Sequence, residues 1–153
     1  MDEANPAYNK IMNYIEHNPA AVLSTLGEDG APHGAVVYVC TASHHTLCFV
    51  TKNQTKKYFN ITKQPKVSLT FYDERESSTL QATGRAFVAD DTQMVNYVLD
   101  KITKMHAIQA FWKPPVTKVH DGEYVVVGVE LDSARLAEYQ GMDTGSGGVF
   151  TQI

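Results

Sequence analysis

Hydrophobic positions along this chain switch repeatedly between a helical and a strand period, and the order of the switches predicts its elements. Asn5-Pro6 reads as an N-cap followed by proline at the first helical position. Tyr8, Ile11, Met12 and Ile15 then recur at helical spacing until His17-Asn18-Pro19 stops the helix. Ala20 to Leu26 reads as a strand, Gly27 to Gly30 as a turn ending in Asp-Gly, and Pro32 to Cys40 as a second, valine-rich strand. Ser43-His44-His45 marks the next turn, and Thr46 to Thr51 is the third strand. Strands joined by turns this short are antiparallel neighbours.

Thr55 to Lys63 reads as a short helix closed by Gln64-Pro65. Lys66 to Tyr72 alternates, with Val67, Leu69 and Phe71 on one face and Lys66, Ser68 and Thr70 on the other. Asp73 to Ser77 is a charged loop. Ser78 to Ala89 is a long strand whose Gly84 signals a bulge or a close backbone approach. Asp90, with Gln93 three residues on, reads as the cap of a second long helix. Its buried stripe is Met94, Val95, Val98, Leu99, Ile102 and Met105, and Ala107 to Trp112 extends the helical region to Pro114-Pro115. Asp121-Gly122 is a turn, Tyr124 to Leu131 an apolar strand, and Ala134 to Gln140 a further short one. Residues 141–153 are glycine-rich at their start and read as an irregular end. Strands joined by hairpins, with helices inserted at a few points, predict a mainly β protein: an antiparallel barrel with helices packed outside.

Composition narrows the class. The chain has 153 residues, of which 43% are hydrophobic and 20% charged, so we expect one domain over residues 1–153 with its own core. A net charge of −4 provides no general basic field, which argues against nucleic acid or an anionic membrane as partner. No apolar run is long enough to span a bilayer. The acidic, polar start MDEANPAYNK is unlike a signal peptide, and two cysteines make no secreted disulfide framework, so a cytoplasmic protein is expected.

Candidate chemistry concentrates between Thr46 and Lys57. An apolar strand runs into Thr51 and Lys52, and Thr55 then precedes Lys56 and Lys57 at a helix start. Free N–H groups, the helix dipole and two ammonium groups together favour an anion, and a phosphate is the natural guest. Against it stands the plainer reading of lysines on a solvated helix face. Cys40, His44, His45 and Cys48 have zinc-ligand chemistry but no zinc spacing, and neighbours on a strand point to opposite faces, so no metal is expected. No carboxylate pair or Ser-His setting suits hydrolysis, and neither GxGxxG nor a P-loop is present. Trp112 reads as core or interface packing, with contact to a ligand as the alternative. Thr79 and Gln81 share one strand face, either as plain solvent-side residues or as polar groups reaching a ring with hydrogen-bonding edges.

The segments AVLSTLGEDGAPHGAVVYV, LCFVTKNQTKKYFNITKQPKVSLTF and LQATGRA together resemble the pyridoxamine-phosphate-oxidase-like family of FMN-binding split barrels. The resemblance runs from about Ile11 to Gln140. It implies a six- to seven-stranded antiparallel split β-barrel with peripheral helices, forming a homodimer with FMN at the subunit interface. It also assigns residues. Lys56 and Lys57 match the basic pair that binds the phosphate, with Thr55 before it and Thr51 and Lys52 at the strand end. Ala35, Val36 and Val37 match the segment along the flavin ring, and Thr79 stands where many relatives have glutamine, with Gln81 as its same-face neighbour. Two departures set this chain apart from the full oxidases: Ala35 stands where they carry Arg, and Cys40 where they carry Lys. It also has no Arg or His after Arg135, where they place a substrate-binding Arg. A short, general-stress-protein-like member is therefore implied, an FMN oxidoreductase that is not a true pyridoxamine phosphate oxidase. The alternatives are a flavin-binding or stress-response protein without turnover and a deazaflavin-dependent reductase; some relatives bind heme. No catalytic side chain is assigned.

Overall fold

The structure is a computed structural model that describes residues 5–43, 45–108, 122–139 and 148–153. Helix α1 (Pro6–His17) begins as the sequence predicts, with the Asn5 side chain accepting from the Ala7 N–H at 2.9 Å. It leads into strands β1 (Ala20–Leu26), β2 (Pro32–Ser43) and β3 (Thr46–Lys52), then α2 (Lys56–Lys63), β4 (Lys66–Asp73) and β5 (Ser78–Val88). Helix α3 (Thr92–Ile108), β6 (Tyr124–Glu138) and β7 (Val149–Gln152) complete the order. The strands form one antiparallel sheet in the order β3-β2-β1-β4-β5-β6-β7, and β6 also pairs with β3. That pairing closes six strands into a barrel and leaves β7 as an extra strand.

Three details differ from the sequence reading. The two strands expected at Tyr124 to Leu131 and Ala134 to Gln140 are one, β6, whose first part pairs with β3 and whose last part pairs with β7. The interruption in its pattern is a bulge at Asp132: Thr83 faces Ser133 while Gly84 faces Leu131. Gly84 is required there, because a Cβ would lie 2.2 Å from the Glu130 carbonyl oxygen. The end expected to be irregular contains β7, held by pairing to β6 through Arg135–Gln152 to Glu138–Val149. Asp91, not Asp90, caps α3, accepting from the Met94 N–H at 2.7 Å; of two adjacent aspartates, the one next to the first turn reaches it. His44, residues 109–112 with Trp112, Pro114-Pro115, Asp121 and residues 140–147 lie outside the described residues.

The alternating strands place Leu23, Val39, Phe49, Leu69, Phe71, Leu80, Val127 and Leu136 inside the barrel, where all are essentially inaccessible. Ile11 and Ile15 of α1 pack into the same cluster and close one end. A second cluster lies outside the barrel wall. There Val98 and Ile102 of α3 cover Tyr38, Cys40, Cys48 and Val126. Leu99, expected in the buried stripe, is more than a third exposed. Helix α3 thus covers the outer face of β2 from Tyr38 onward and leaves its Val36 open. None of the described helices is long and apolar enough to cross a membrane.

Candidate functional site

The β2–β3 ladder is short. It runs from Ser43–Thr46 to Val39–Phe49 and ends there, although β2 extends back to Pro32 and β3 forward to Lys52. Beyond that point β2 remains paired to β1, with Ala35 opposite Leu23, Val36 opposite Val22 and Val37 opposite Ala21. Strand β3 remains paired to β6, with Thr51 opposite Val125 and Lys52 opposite Tyr124. The barrel is therefore split between Ala35–Val37 and Thr51–Lys52. Backbone groups on the two facing edges have no strand partner across the gap.

Helix α2 starts at the end of this split. Its position is fixed by the buried Asn60 side chain, which donates to the Thr25 hydroxyl of β1 at 2.9 Å. Thr55 occupies the N-cap as the sequence suggests, but its hydroxyl does not cap. It donates to the Lys52 carbonyl at 2.9 Å and stands 3.1 Å from the Thr51 hydroxyl. The N–H groups of the first turn are thus left without a side-chain acceptor.

Three ammonium groups flank this turn. Lys52 is buried and holds its Nζ 4.6 Å from the centre of the Tyr124 ring. Lys56 is exposed, and Lys57 is half-buried, with burial pushing its ammonium below the usual lysine value. None of the described ion pairs involves any of the three. Thr51, Lys52, Thr55, Lys56 and Lys57 are therefore gathered in one place, with Ala35–Val37 on the opposite side of the split.

Thr79 and Gln81 are not part of that group. They lie on β5, with β1 and β4 between them and β2. Register connects them to it by another route. Val36 faces Val22, Val22 faces Thr70, Thr70 faces Gln81, and Gln81 faces Arg135. This transverse row runs along the outer wall. The parallel row Gly34, Ser24, Ser68, Thr83, Ser133 carries no charge. Sequence reasoning passed over Arg135. Its signal was the alternation through Ala134, Leu136 and Glu138, which puts Arg135 on the outer face.

Cys40 and Cys48 face each other directly across β2–β3 beneath α3. Burial pushes their thiols up to about 11 and about 12. His45 instead packs edge-on against Tyr8, with ring centres 5.0 Å apart. Among the described residues no group of three His, Cys, Asp or Glu side chains converges as a metal site. A larger hollow of about 620 Å³ lies between α1 and the β4–β5 turn, but its Lys10, Asp73 and Glu138 are committed locally. Lys10 pairs with Glu138 there, and Asp73 accepts from the Arg75 and Glu76 N–H groups.

A six-stranded barrel split at one seam, with Lys52, Lys56 and Lys57 outside the described ion pairs beside it, defines a split barrel with a basic seam. The chain belongs to the pyridoxamine 5'-phosphate oxidase family, whose model matches residues 9–137. No curated protein matches the chain in sequence. Its fold is similar to General Stress Protein 26 from Bacillus anthracis str. Sterne, at 22% identity and TM-score 0.63, covering 84% of this chain and 91% of that one. It is also similar to a pyridoxamine 5'-phosphate oxidase-related, FMN binding protein from Nostoc punctiforme PCC 73102, at 12% identity and TM-score 0.63, covering 99% and 97%. An F420 reductase matches at 19% identity and TM-score 0.60, covering 80% and 94%.

Proposed function

We propose that this chain is the single-domain subunit of an FMN-binding oxidoreductase that moves hydride or electrons through the flavin. The observation that carries the reading is the set of unpaired lysines at the start of α2, beside the split, in a chain of this family. An FMN phosphate carries close to two negative charges at neutral pH. Lys56, Lys57 and the free N–H groups of the first turn of α2 suit it, and a half-buried ammonium such as Lys57 gains most from an anion. The hydroxyls of Thr51 and Thr55 reach it by rotating away from their present partners. Lys52 adds positive charge, and Ala35, Val36 and Val37 offer an unpaired backbone edge to the ring.

The outer wall supports a homodimer. Over β1, β2 and β4 it presents Gly34, Ser24, Ser68 and Thr70 beside the open apolar side chains of Val22 and Val36. In an isologous pair, a two-fold axis between Val22 and Thr70 sets Gln81 of one copy over Val36 of the other. Thr79 and Gln81 then approach the ring from the second copy. The bound flavin supplies the redox chemistry; the protein holds and orients it and excludes water. Ala35 and Cys40, where the full oxidases carry Arg and Lys, argue against a true pyridoxamine phosphate oxidase.

The absorbance spectrum of freshly purified protein, with mass spectrometry of the released cofactor, tests this reading. The expected result is the two-band flavin spectrum and the mass of FMN. A released deazaflavin or heme, or no affinity for added FMN, overturns it. Reduction of the bound flavin by a nicotinamide nucleotide distinguishes an enzyme from a flavin-binding protein without turnover.

A further inference from the structure

Cys40 and Cys48 are nucleophilic side chains that the flavin reading leaves unused, and both are free thiols. They are direct partners in the β2–β3 ladder, so their side chains leave the sheet on the same outer face, beneath Val98 and Ile102 of α3. Directly opposed residues of an antiparallel pair have Cα atoms ~4.5 or ~5.5 Å apart. A disulfide spans about 4.4–6.8 Å between Cα atoms, so either kind of pair lets these thiols join without a change of register. Their place along the ladder gives that bond a consequence. The next pair is Val39–Phe49, the last before the split opens. Widening the split from that end means breaking Val39–Phe49 and then Cys40–Cys48. Toward the hairpin the ladder is already irregular, with a shift of register between Thr41 and Ser43.

We propose that Cys40 and Cys48 are a redox pair that hydrogen peroxide closes into a cross-strand disulfide, locking the β2–β3 ladder at the fork of the split. The Cys40 thiolate attacks one peroxide oxygen and the O–O bond breaks. The other oxygen leaves as hydroxide and takes up the thiol proton, giving water and a Cys40 sulfenic acid. The Cys48 sulfur then attacks the Cys40 sulfur, the S–O bond breaks, and the departing hydroxide takes up the Cys48 proton as a second water. Two thiols together give up two electrons and two protons, and one peroxide accepts them. The order follows from the surroundings. Cys40 keeps 2% exposure and Cys48 none. Burial pushes both thiols up, and the Lys101 ammonium, which donates to the Thr41 carbonyl at 3.3 Å, offsets part of this at Cys40. The reaction is slow while α3 is docked, because only a small thiolate fraction is present. The loop that the bond closes is short, so it constrains the unfolded chain little and acts on the ladder itself. The inference stands on β2, β3 and α3 alone and needs neither a bound flavin nor a second copy.

The test uses the full chain, reduced and freed of reductant, exposed to hydrogen peroxide while native and then alkylated in guanidinium chloride. Peptide mass mapping is expected to show Cys40 joined to Cys48 and neither cysteine alkylated, with denaturing electrophoresis showing a single chain. Dithiothreitol should restore both thiols. Amide hydrogen exchange between Tyr38 and Phe49 should slow about tenfold in the oxidised protein. In Cys48→Ala, Cys40 should stop at a sulfenic acid that dimedone traps. In Cys40→Ala, Cys48 should remain a thiol over the same time. If either variant fails to fold, wild type quenched early with dimedone reads the same order, with the adduct expected on Cys40. Two alkylated cysteines after peroxide treatment overturn the proposal. So do a disulfide between two chains, sulfinic or sulfonic acids without a crosslink, and a first adduct on Cys48. A disulfide that leaves hydrogen exchange unchanged overturns the lock.

Discussion

Val22 and Val36 face each other across the β1–β2 ladder on the outer wall, 42% and 43% exposed. Two β-branched side chains side by side in water, flanked by Gly34, Ser24 and Thr70, make an uncharged patch. Such a surface suits a second copy better than solvent. Val22→Glu places two carboxylates close to the proposed two-fold axis, where they are desolvated and repel. The variant should fold with a near-normal Tm, because the side chain points out of the barrel. Its dimer should dissociate at least a hundredfold more readily, and FMN should be lost with it. Sedimentation velocity checks this; a dimer that persists in Val22→Glu places the interface elsewhere.

Asn60 and Thr25 test what positions the lysines. Their hydrogen bond is buried, so Asn60→Ala leaves the Thr25 hydroxyl without its partner and loosens α2 from β1. The expected cost is about 1–3 kcal/mol, measured by urea unfolding. FMN affinity should fall as well, although neither residue belongs to the proposed site. A destabilised Asn60→Ala that binds FMN normally would show that α2 is placed by other contacts.

Much of the fold was legible because its signals are local. Asn5 capping α1, the alternation of β4 and the bulge announced by Gly84 all depend on residues near one another in the chain. What was missed depends on distant partners. The segment Val149–Gln152 becomes a strand only because the last part of β6 offers it an edge. Of the site, the Thr51–Lys57 group was legible as a strand end meeting a helix start. Arg135 was not, since its place beside Gln81 exists only in the β5–β6 register. The Thr55 hydroxyl turned from the cap to the Lys52 carbonyl because a tight link brings that acceptor within 2.9 Å.

The buried thiols set an alkaline limit. Cys40 and Cys48 start from a usual value of 9.0 and are pushed up to about 11 and about 12 by burial. Between pH 9 and those values the unfolded chain releases thiol protons that the folded chain retains. Their contribution to stability is therefore complete below pH 9 and is lost as pH rises through the folded values. Tm should fall with pH above 9, and Cys40→Ala/Cys48→Ala should show a shallower fall than wild type. Both thiols should also resist alkylation at pH 8 until the protein unfolds. Rapid labelling of the native protein would contradict their burial.

Lys57 carries the opposite sign. Burial lowers its value from 10.5, so at neutral pH the folded protein bears the cost of a charged, partly desolvated ammonium. That cost is relieved as pH rises through the lowered value toward 10.5. Lys57→Met should raise the Tm of the FMN-free protein by roughly 1–3 °C while weakening FMN. A Tm that falls in the FMN-free variant would show that the ammonium is stabilised by contacts other than a bound anion.

The most direct test of the account is a paired titration of FMN and riboflavin into wild type, Lys56→Ala and Lys57→Ala at fixed salt. The two ligands share the ring and differ in the phosphate. A charge-assisted hydrogen bond contributes about 1.5–3 kcal/mol, so each lysine that reaches the phosphate should weaken FMN by about ten- to a hundredfold. Riboflavin affinity should stay within about twofold of wild type, as for an ordinary surface change. Equal losses for both flavins, or no loss for either, would contradict phosphate binding at the start of α2.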